Sequence, residues 1–428
     1  MKYNRSILFF IILIFSGISL FAQHSDTIYN KNIATVQLYP GDNQLALPIL
    51  NLASGETAQL HFDDLDGDVK NYYYTYELCN SDWQPVNVGA FDFLKGFTQT
   101  RINNYRFSSY ALVRYTHYQA SIPDRNSYPY KAGNYIIRVY LNGDTSQVAF
   151  TKRLLVVDNK VTILAKVTQP FAPEYFTTHQ KIQFQIDIKG LNDFNAAQQL
   201  KVVVMQNSRW DNAAYNLKPA FIRGNVLEYN SENSAIFPGG KEWRWLDIRD
   251  FHLQSDRVST ADYGKTFTNI YLRPDRPLEG QRYIYYRDYN GRYIIDALRG
   301  YNPFSEGDYA MVNFYFAPPN GREYTNKDIY LFGELTNYHR TDSLKMTYND
   351  TSRLYETHLF MKQGYYDYSY LYVDHDKPSV SGSFDGNYYE TENLYTILVY
   401  YKPFGGRADA LVGVATFNSR ADQPGLSF

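Results

Sequence analysis

Several stretches of the chain hold side chains of kinds that do chemistry when they are spaced correctly. Asp63-Asp64-Leu65-Asp66-Gly67-Asp68 gathers carboxylates around a glycine, as the opening of a calcium loop does. Calcium also needs a bidentate acid further along, and Asn71-Tyr72-Tyr73-Tyr74 supplies none, so the expectation is a polar turn between two strands. Asp374-His375-Asp376 sets an imidazole between two acids. Acid–base work needs a third group and a pocket, and Lys377-Pro378 marks this triplet as a solvated turn. The other histidines, at positions 24, 61, 117, 179, 252, 339 and 358, are scattered, with none at metal-ligand spacing. No nucleophile elbow, phosphate loop, HExxH zinc pair or CxxC motif occurs. Carboxylate pairs for glycoside cleavage are set by three-dimensional distance, and the sequence singles none out. The expectation is a non-enzymatic protein with no catalytic residue, no metal and no cofactor.

The densest run of unusual residues is Phe237-Pro238-Gly239-Gly240-Lys241-Glu242-Trp243-Arg244-Trp245-Leu246-Asp247, which holds two of the 4 tryptophans. On a strand, Trp243 and Trp245 share one face and Glu242 and Arg244 the other. One reading places buried tryptophan in a sandwich core. The other makes Trp243, Arg244 and Trp245 an aromatic and arginine anchor for a protein partner, the residue types in which interface energy concentrates.

These residues must be positioned by strands. Long helical patterns are hard to find, whereas period-two segments are common. Over 71–79, Tyr72, Tyr74, Tyr76 and Leu78 face one way and Tyr73, Thr75, Glu77 and Cys79 the other; over 365–372, Tyr366, Tyr368, Tyr370 and Tyr372 share a face. Further strands are expected at 135–141, 152–157, 182–188, 200–205, 283–287, 310–316 and 394–401. Turn signals separate them: Pro40-Gly41-Asp42, Asn142-Gly143-Asp144, Pro238-Gly239-Gly240, Asn290-Gly291 and Asn320-Gly321. The expected class is all-β, three consecutive immunoglobulin-like β-sandwich domains after a signal peptide. Val156-Val157-Asp158-Asn159-Lys160 and Ala317-Pro318-Pro319-Asn320-Gly321-Arg322 suggest boundaries. The expected spans are 1–22 (signal peptide), 27–158, 160–316, 325–415 and a tail over 416–428.

The chain opens with a short basic start, Lys2 and Arg5, followed by an apolar run over 7–15 that continues to Ala22. That order fits a secretory signal peptide cleaved near Ala22, and the apolar run falls short of the ~20 residues a membrane span needs. Formal net charge is −2, with 42 basic and 44 acidic residues, which gives no reason to expect nucleic acid as a partner or an anionic membrane surface. Cys79 is the sole cysteine, so stability must come from cores rather than bridges. Tyr supplies 43 residues and Phe 27. Tyr suits strands and amphipathic surfaces, so an exported β-protein this rich in it is expected to bind something large. A membrane barrel would need ~10-residue strands with aliphatic lipid faces, and here those faces are tyrosines interrupted by charge. No direct membrane insertion is expected.

Several segments resemble the type IX secretion system plug family. They are Leu60-His61-Phe62-Asp63-Asp64-Leu65, Cys79-Asn80-Ser81-Asp82-Trp83, Gly96-Phe97, Tyr115-Thr116-His117-Tyr118, Gly133-Asn134-Tyr135, Met205-Gln206-Asn207-Ser208-Arg209-Trp210-Asp211-Asn212 and Gly239-Gly240-Lys241-Glu242-Trp243-Arg244. The chain departs from the pattern at Ser109-Tyr110 and at Lys241. The resemblance implies a periplasmic, non-enzymatic protein whose partner is the outer-membrane translocon barrel, with the periplasmic mouth of that barrel sealed by protein–protein contact. The run Ile329-Tyr330-Leu331-Phe332-Gly333-Glu334-Leu335-Thr336-Asn337-Tyr338, with Lys362-Gln363-Gly364-Tyr365-Tyr366-Asp367-Tyr368, is similar to glycogen-binding-type early-set sandwiches. Those stack sugars on Trp, and Tyr338 stands where a Trp is expected. The resemblance implies the fold of those sandwiches; separately, the Tyr-rich β-sandwich faces leave as the alternative function an exported glycan-binding protein that uses them as stacking platforms.

Overall fold

The computed structural model describes residues 26–52, 54–191, 193 and 195–420. The expected signal peptide over 1–22 and the end of the expected tail, 421–428, lie outside them. Strands make up 46% of the chain and helix 6%, so the protein is all-β.

Alternation explains the first sandwich. In Tyr72–Cys79, Tyr72, Tyr74, Tyr76 and Leu78 are buried while Tyr73, Thr75 and Glu77 are only partly covered. That strand sits in a sheet ordered Ile49–Asn51, Val148–Val157, Gly133–Leu141, Tyr72–Cys79, Thr100–Arg101. Asn142 and Gly143, at the turn after Gly133–Leu141, both take left-handed backbone (φ 55° and 73°), as the dipeptide predicts. A second sheet, ordered Ile33–Pro40, Ala58–Asp64, Thr116–Ile122, Asn104–Phe107, packs on it around Leu60, Phe62, Tyr118, Ile137 and Phe150.

The other two sandwiches are not consecutive. The middle one pairs a sheet of Thr162–Thr168, His179–Asp187, Val226–Tyr229 and Phe221–Arg223 with a sheet of Leu200–Gln206, Leu394–Tyr401 and Ala410–Asn418. Leu200 lies opposite Tyr401 and Gln206 opposite Tyr395, so the last strands of the chain complete a core begun more than a hundred residues earlier. The third sandwich is inserted between them. One sheet is built on the long strand Gly364–Asp374, flanked by Arg244–Asp247, Tyr293–Ile295, Lys327–Phe332 and Lys377–Ser383. The other is ordered Val258–Tyr263, Thr268–Leu272, Tyr309–Phe316, Leu354–Lys362, Thr347–Asn349.

This packing corrects the expected spans 160–316 and 325–415. Phe314 and Phe316 share one core with Ile329 and Leu331, so the Pro318-Pro319-Asn320-Gly321 stretch is a turn inside the third sandwich. Strand structure also runs to Asn418, into the expected tail. Residues 283–287 form no strand: Tyr283 and Tyr286 instead send their hydroxyls to Glu242 Oε1 (2.5 Å) and to the Glu242 and Trp243 carbonyls (3.1 and 3.0 Å). Many of the tyrosines are core residues. The largest fully buried side chains are Arg244 and tyrosines such as Tyr72, Tyr118, Tyr309, Tyr368, Tyr370 and Tyr400, which corrects the expectation of Tyr-rich outer faces.

Candidate functional site

The expected anchor triplet is largely interior. Trp243 is 9% exposed, with its indole stacked on Phe332 (6.2 Å) and edge-on to Tyr338 (6.4 Å). Gly291 makes room for it: a Cβ there would lie 2.6 Å from the indole, and φ of +81° suits glycine. Arg244 is 2% exposed. Its Nη1 donates to Asp275 Oδ1 at 3.0 Å, and its Nη2 donates to the Arg276 carbonyl at 2.8 Å and to Asp385. Burial opposes the charge, but Asp385 and Asp275 outweigh it and hold the guanidinium above its usual range. An arginine buried to 2% exposure and held by two buried carboxylates lies out of a partner's reach, so Arg244 is an internal strut. Trp245 alone of the three keeps an accessible flank, with Tyr286 edge-on at 5.1 Å and the Arg257 guanidinium over its ring at 4.9 Å.

The strongest electrostatic constellation is one that sequence reasoning missed. Asp63, fully buried in the first sandwich, accepts from Tyr309 Oη (2.6 Å) and Lys362 Nζ (2.5 Å) of the third, and its Oδ1 lies 2.7 Å from His117 Nδ1. Burial would raise the Asp63 carboxyl, but Lys362 and His117 reverse this and hold it below the usual range. His117 Nε2 lies 3.1 Å from His61 Nδ1, and His61 stacks on Phe304 at 4.1 Å. Lys362 Nζ also donates to the Phe304 carbonyl at 2.6 Å and sits 4.0 Å over the Tyr115 ring. Burial, helped by His117 and Lys362, pushes the His61 imidazole down to about 3. The partners lie 299 residues apart along the chain, so no spacing rule could find them. The arrangement is a joint between sandwiches, closed on all sides by protein.

Other joints follow the same logic. One face of the Tyr72–Cys79 sheet packs on the middle sandwich through Cys79, Ile136 and Leu155 against Val203, Leu398 and Tyr400. Asp409 Oδ2 accepts from Ser81 N and Oγ and from Lys201 Nζ, each at 2.9 Å. Trp83 meets Trp210 edge-to-face at 4.9 Å, and the Arg153 guanidinium lies about equally far from both rings (5.0 and 5.2 Å). Gly239 abuts the Tyr388 carbonyl, 2.1 Å from where a Cβ would stand. Most of the stretches that carry the family resemblance therefore lie at contacts between sandwiches.

The acidic loop holds an internal cation. Lys70 Nζ reaches Asp64 (2.9 Å), Asp66 and Asp68 (3.5 Å), so an ammonium already sits among these carboxylates. Asp374-His375-Asp376 lies at the end of Gly364–Asp374, where exposed His375 meets Asp328 at 3.0 Å. Tyr338 is half-buried and engaged internally: Trp243 and Phe332 meet it edge-to-face, the Arg209 guanidinium lies 5.6 Å over its ring, and its hydroxyl donates to the Gly291 carbonyl at 3.1 Å.

Comparison with known proteins agrees with this architecture. A crystal structure of a hypothetical protein from Parabacteroides merdae superposes with a TM-score of 0.87 at 31% identity, covering 92% of this chain and 99% of that one. The Srr1 serine-rich repeat adhesion glycoprotein of Streptococcus agalactiae reaches a TM-score of 0.12 at 13% identity, over 48% of this chain and 81% of its own, too low to indicate a shared fold. No curated protein matches the sequence. Residues 33–158 match the family described as type 9 secretion system plug protein 1st domain, which is the first sandwich. The chain belongs to the type IX secretion plug family.

Proposed function

We propose that the protein is a periplasmic plug subunit that binds the outer-membrane translocon barrel of the type IX system and seals its periplasmic end by protein–protein contact. The observation that carries this reading, beside family membership, is the locking of the sandwiches to one another by buried polar joints at Asp63–Lys362 and Ser81–Asp409. A body that closes a wide pore must resist deformation, and a preformed surface spends little ordering entropy on docking. Release then needs only a difference in affinity between translocon states. The Arg209 guanidinium already over the Tyr338 ring counts against the glycan-binding alternative.

An affinity pull-down of the tagged full chain from detergent-solubilised envelopes, read by mass spectrometry, tests the proposal. Roughly stoichiometric recovery of a very large outer-membrane barrel supports it. Recovery of glycan, or of no barrel, overturns it.

A further inference from the structure

Among the described residues, the strand Asn104–Phe107 lies at the open edge of its sheet, paired only with Thr116–Ile122, and all four of its residues are exposed. Just beyond it, Ser108 N donates to the Tyr115 carbonyl at 2.8 Å. Antiparallel ladders alternate, so Asn104 and Arg106 turn their backbone groups toward the neighbouring strand. Tyr105 and Phe107 then present theirs to the open edge. Native sheets usually blunt such an edge with a bulge, proline or cover. Here it carries aromatic side chains instead: Tyr105 is 42% exposed and Phe107 56%.

The apolar surface continues past the strand. Ser109 N donates to the Ser305 carbonyl (2.9 Å), and Leu112 N and Val113 N donate to Asp308 (3.0 Å each), which fixes the following loop on the third sandwich. That loop displays Tyr110, 96% exposed, and the adjoining segment displays Tyr301, fully exposed.

Charge selects among the possible occupants. Between Asp92 and Asp124 the sequence carries Lys95, Arg101, Arg106 and Arg114 and no acidic residue. The carboxylates of Asp66 and Asp68 are gathered by Lys70. Arg106 points to the sheet face opposite Tyr105 and Phe107. A second copy of this chain, paired antiparallel through the same edge in the register centred on Arg106, would set Arg106 against Arg106, which cross-strand like-charge repulsion disfavours. We infer that this edge accepts an extended segment of a partner protein as an added β-strand. Apolar side chains of that segment lie beside Tyr105 and Phe107, and acidic ones beside Arg106. The inference stands apart from the translocon reading, because its chemistry needs only an extended acidic strand.

The test uses the full chain and a dye-labelled, end-capped decapeptide of alternating Val and Glu, with its Val–Lys counterpart as control, read by fluorescence anisotropy. Tyr105→Pro removes an outward N–H at an edge position that tolerates proline. Arg106→Glu reverses the charge. Binding of the Val–Glu peptide, weakened about tenfold by Tyr105→Pro and switched to the Val–Lys peptide by Arg106→Glu, is the expected result. Failure of the Val–Glu peptide to bind, equal binding of both peptides, or dimerisation through this edge overturns the inference. So does binding that neither variant alters.

Discussion

Acidification should loosen the joint at His61, and by a calculable amount. In the unfolded chain this imidazole titrates near its ordinary value of 6.5, whereas burial against Phe304 pushes it down to about 3 in the fold. Below pH 6.5 the unfolded chain takes up a proton that the folded one refuses. Stability is therefore fully present above that value and is lost as pH falls toward 3. The slope is about 1.4 kcal/mol per pH unit, so moving from about pH 7 to about pH 5 costs about 2 kcal/mol from this group alone. His61→Gln keeps a donor for His117 and removes the titration. Urea unfolding of both proteins at the two pH values isolates the term, since the other ionisable groups are common to both. The native protein should lose about 2 kcal/mol more than the variant. Hydrogen exchange over 303–308, where Phe304 docks, should quicken first. Equal losses in the two proteins would refute the assignment of His61 as a neutral, desolvated partner.

Arg244→Met should lower stability by about 3–5 kcal/mol in urea titrations, because Asp385 and Asp275 are left buried without their shared cation. Asp367, pushed up to about 9 by burial and then by neighbouring Asp288, keeps its proton in the fold. Its contribution is present at low pH and fades as pH rises from the unfolded value of 3.8 through about 9. Asp367→Asn, which mimics the protonated acid, should therefore add more than about 1.4 kcal/mol at pH ~8 and little near pH ~4, as read from unfolding midpoints. Cys79, fully buried and with its thiol pushed up to about 12, should resist maleimide in the native protein and label at once in denaturant; rapid native labelling would show that the contact between the first two sandwiches opens.

Local signals in the sequence reached as far as single strands and turns. The alternation over 71–79 groups Tyr72, Tyr74, Tyr76 and Leu78 on one face because each strand repeats every two residues whatever it packs against. Asn290-Gly291 and Asn320-Gly321 take the left-handed backbone their types favour. The same periodicity cannot say which face looks inward, and both faces of the first sandwich's Tyr72–Cys79 sheet are covered. Arg244, one of the residues weighed as a partner anchor, proves to be interior. Nor does periodicity choose partners: Leu200–Gln206 pairs with Leu394–Tyr401 because a hydrophobic face across the insertion completes its core. The Asp63 joint has the same character, being built from residues that only the finished packing brings together.

The inserted third sandwich also fixes an order of events during synthesis. The first sandwich is complete in sequence by Val157, and the core of the inserted one is complete by Asp385. The middle sandwich cannot close until Ala410–Asn418 has been made. Until Leu394–Tyr401 has been made, Leu200–Gln206 is a hydrophobic strand waiting for its neighbour, which raises contact order and prolongs exposure to aggregation. A chain cut anywhere between 386 and 410 would thus keep two sound cores and one that is half built. Such a product should be cleared by proteases from the middle outward, and intact protein accumulates only when translation runs to its last strand.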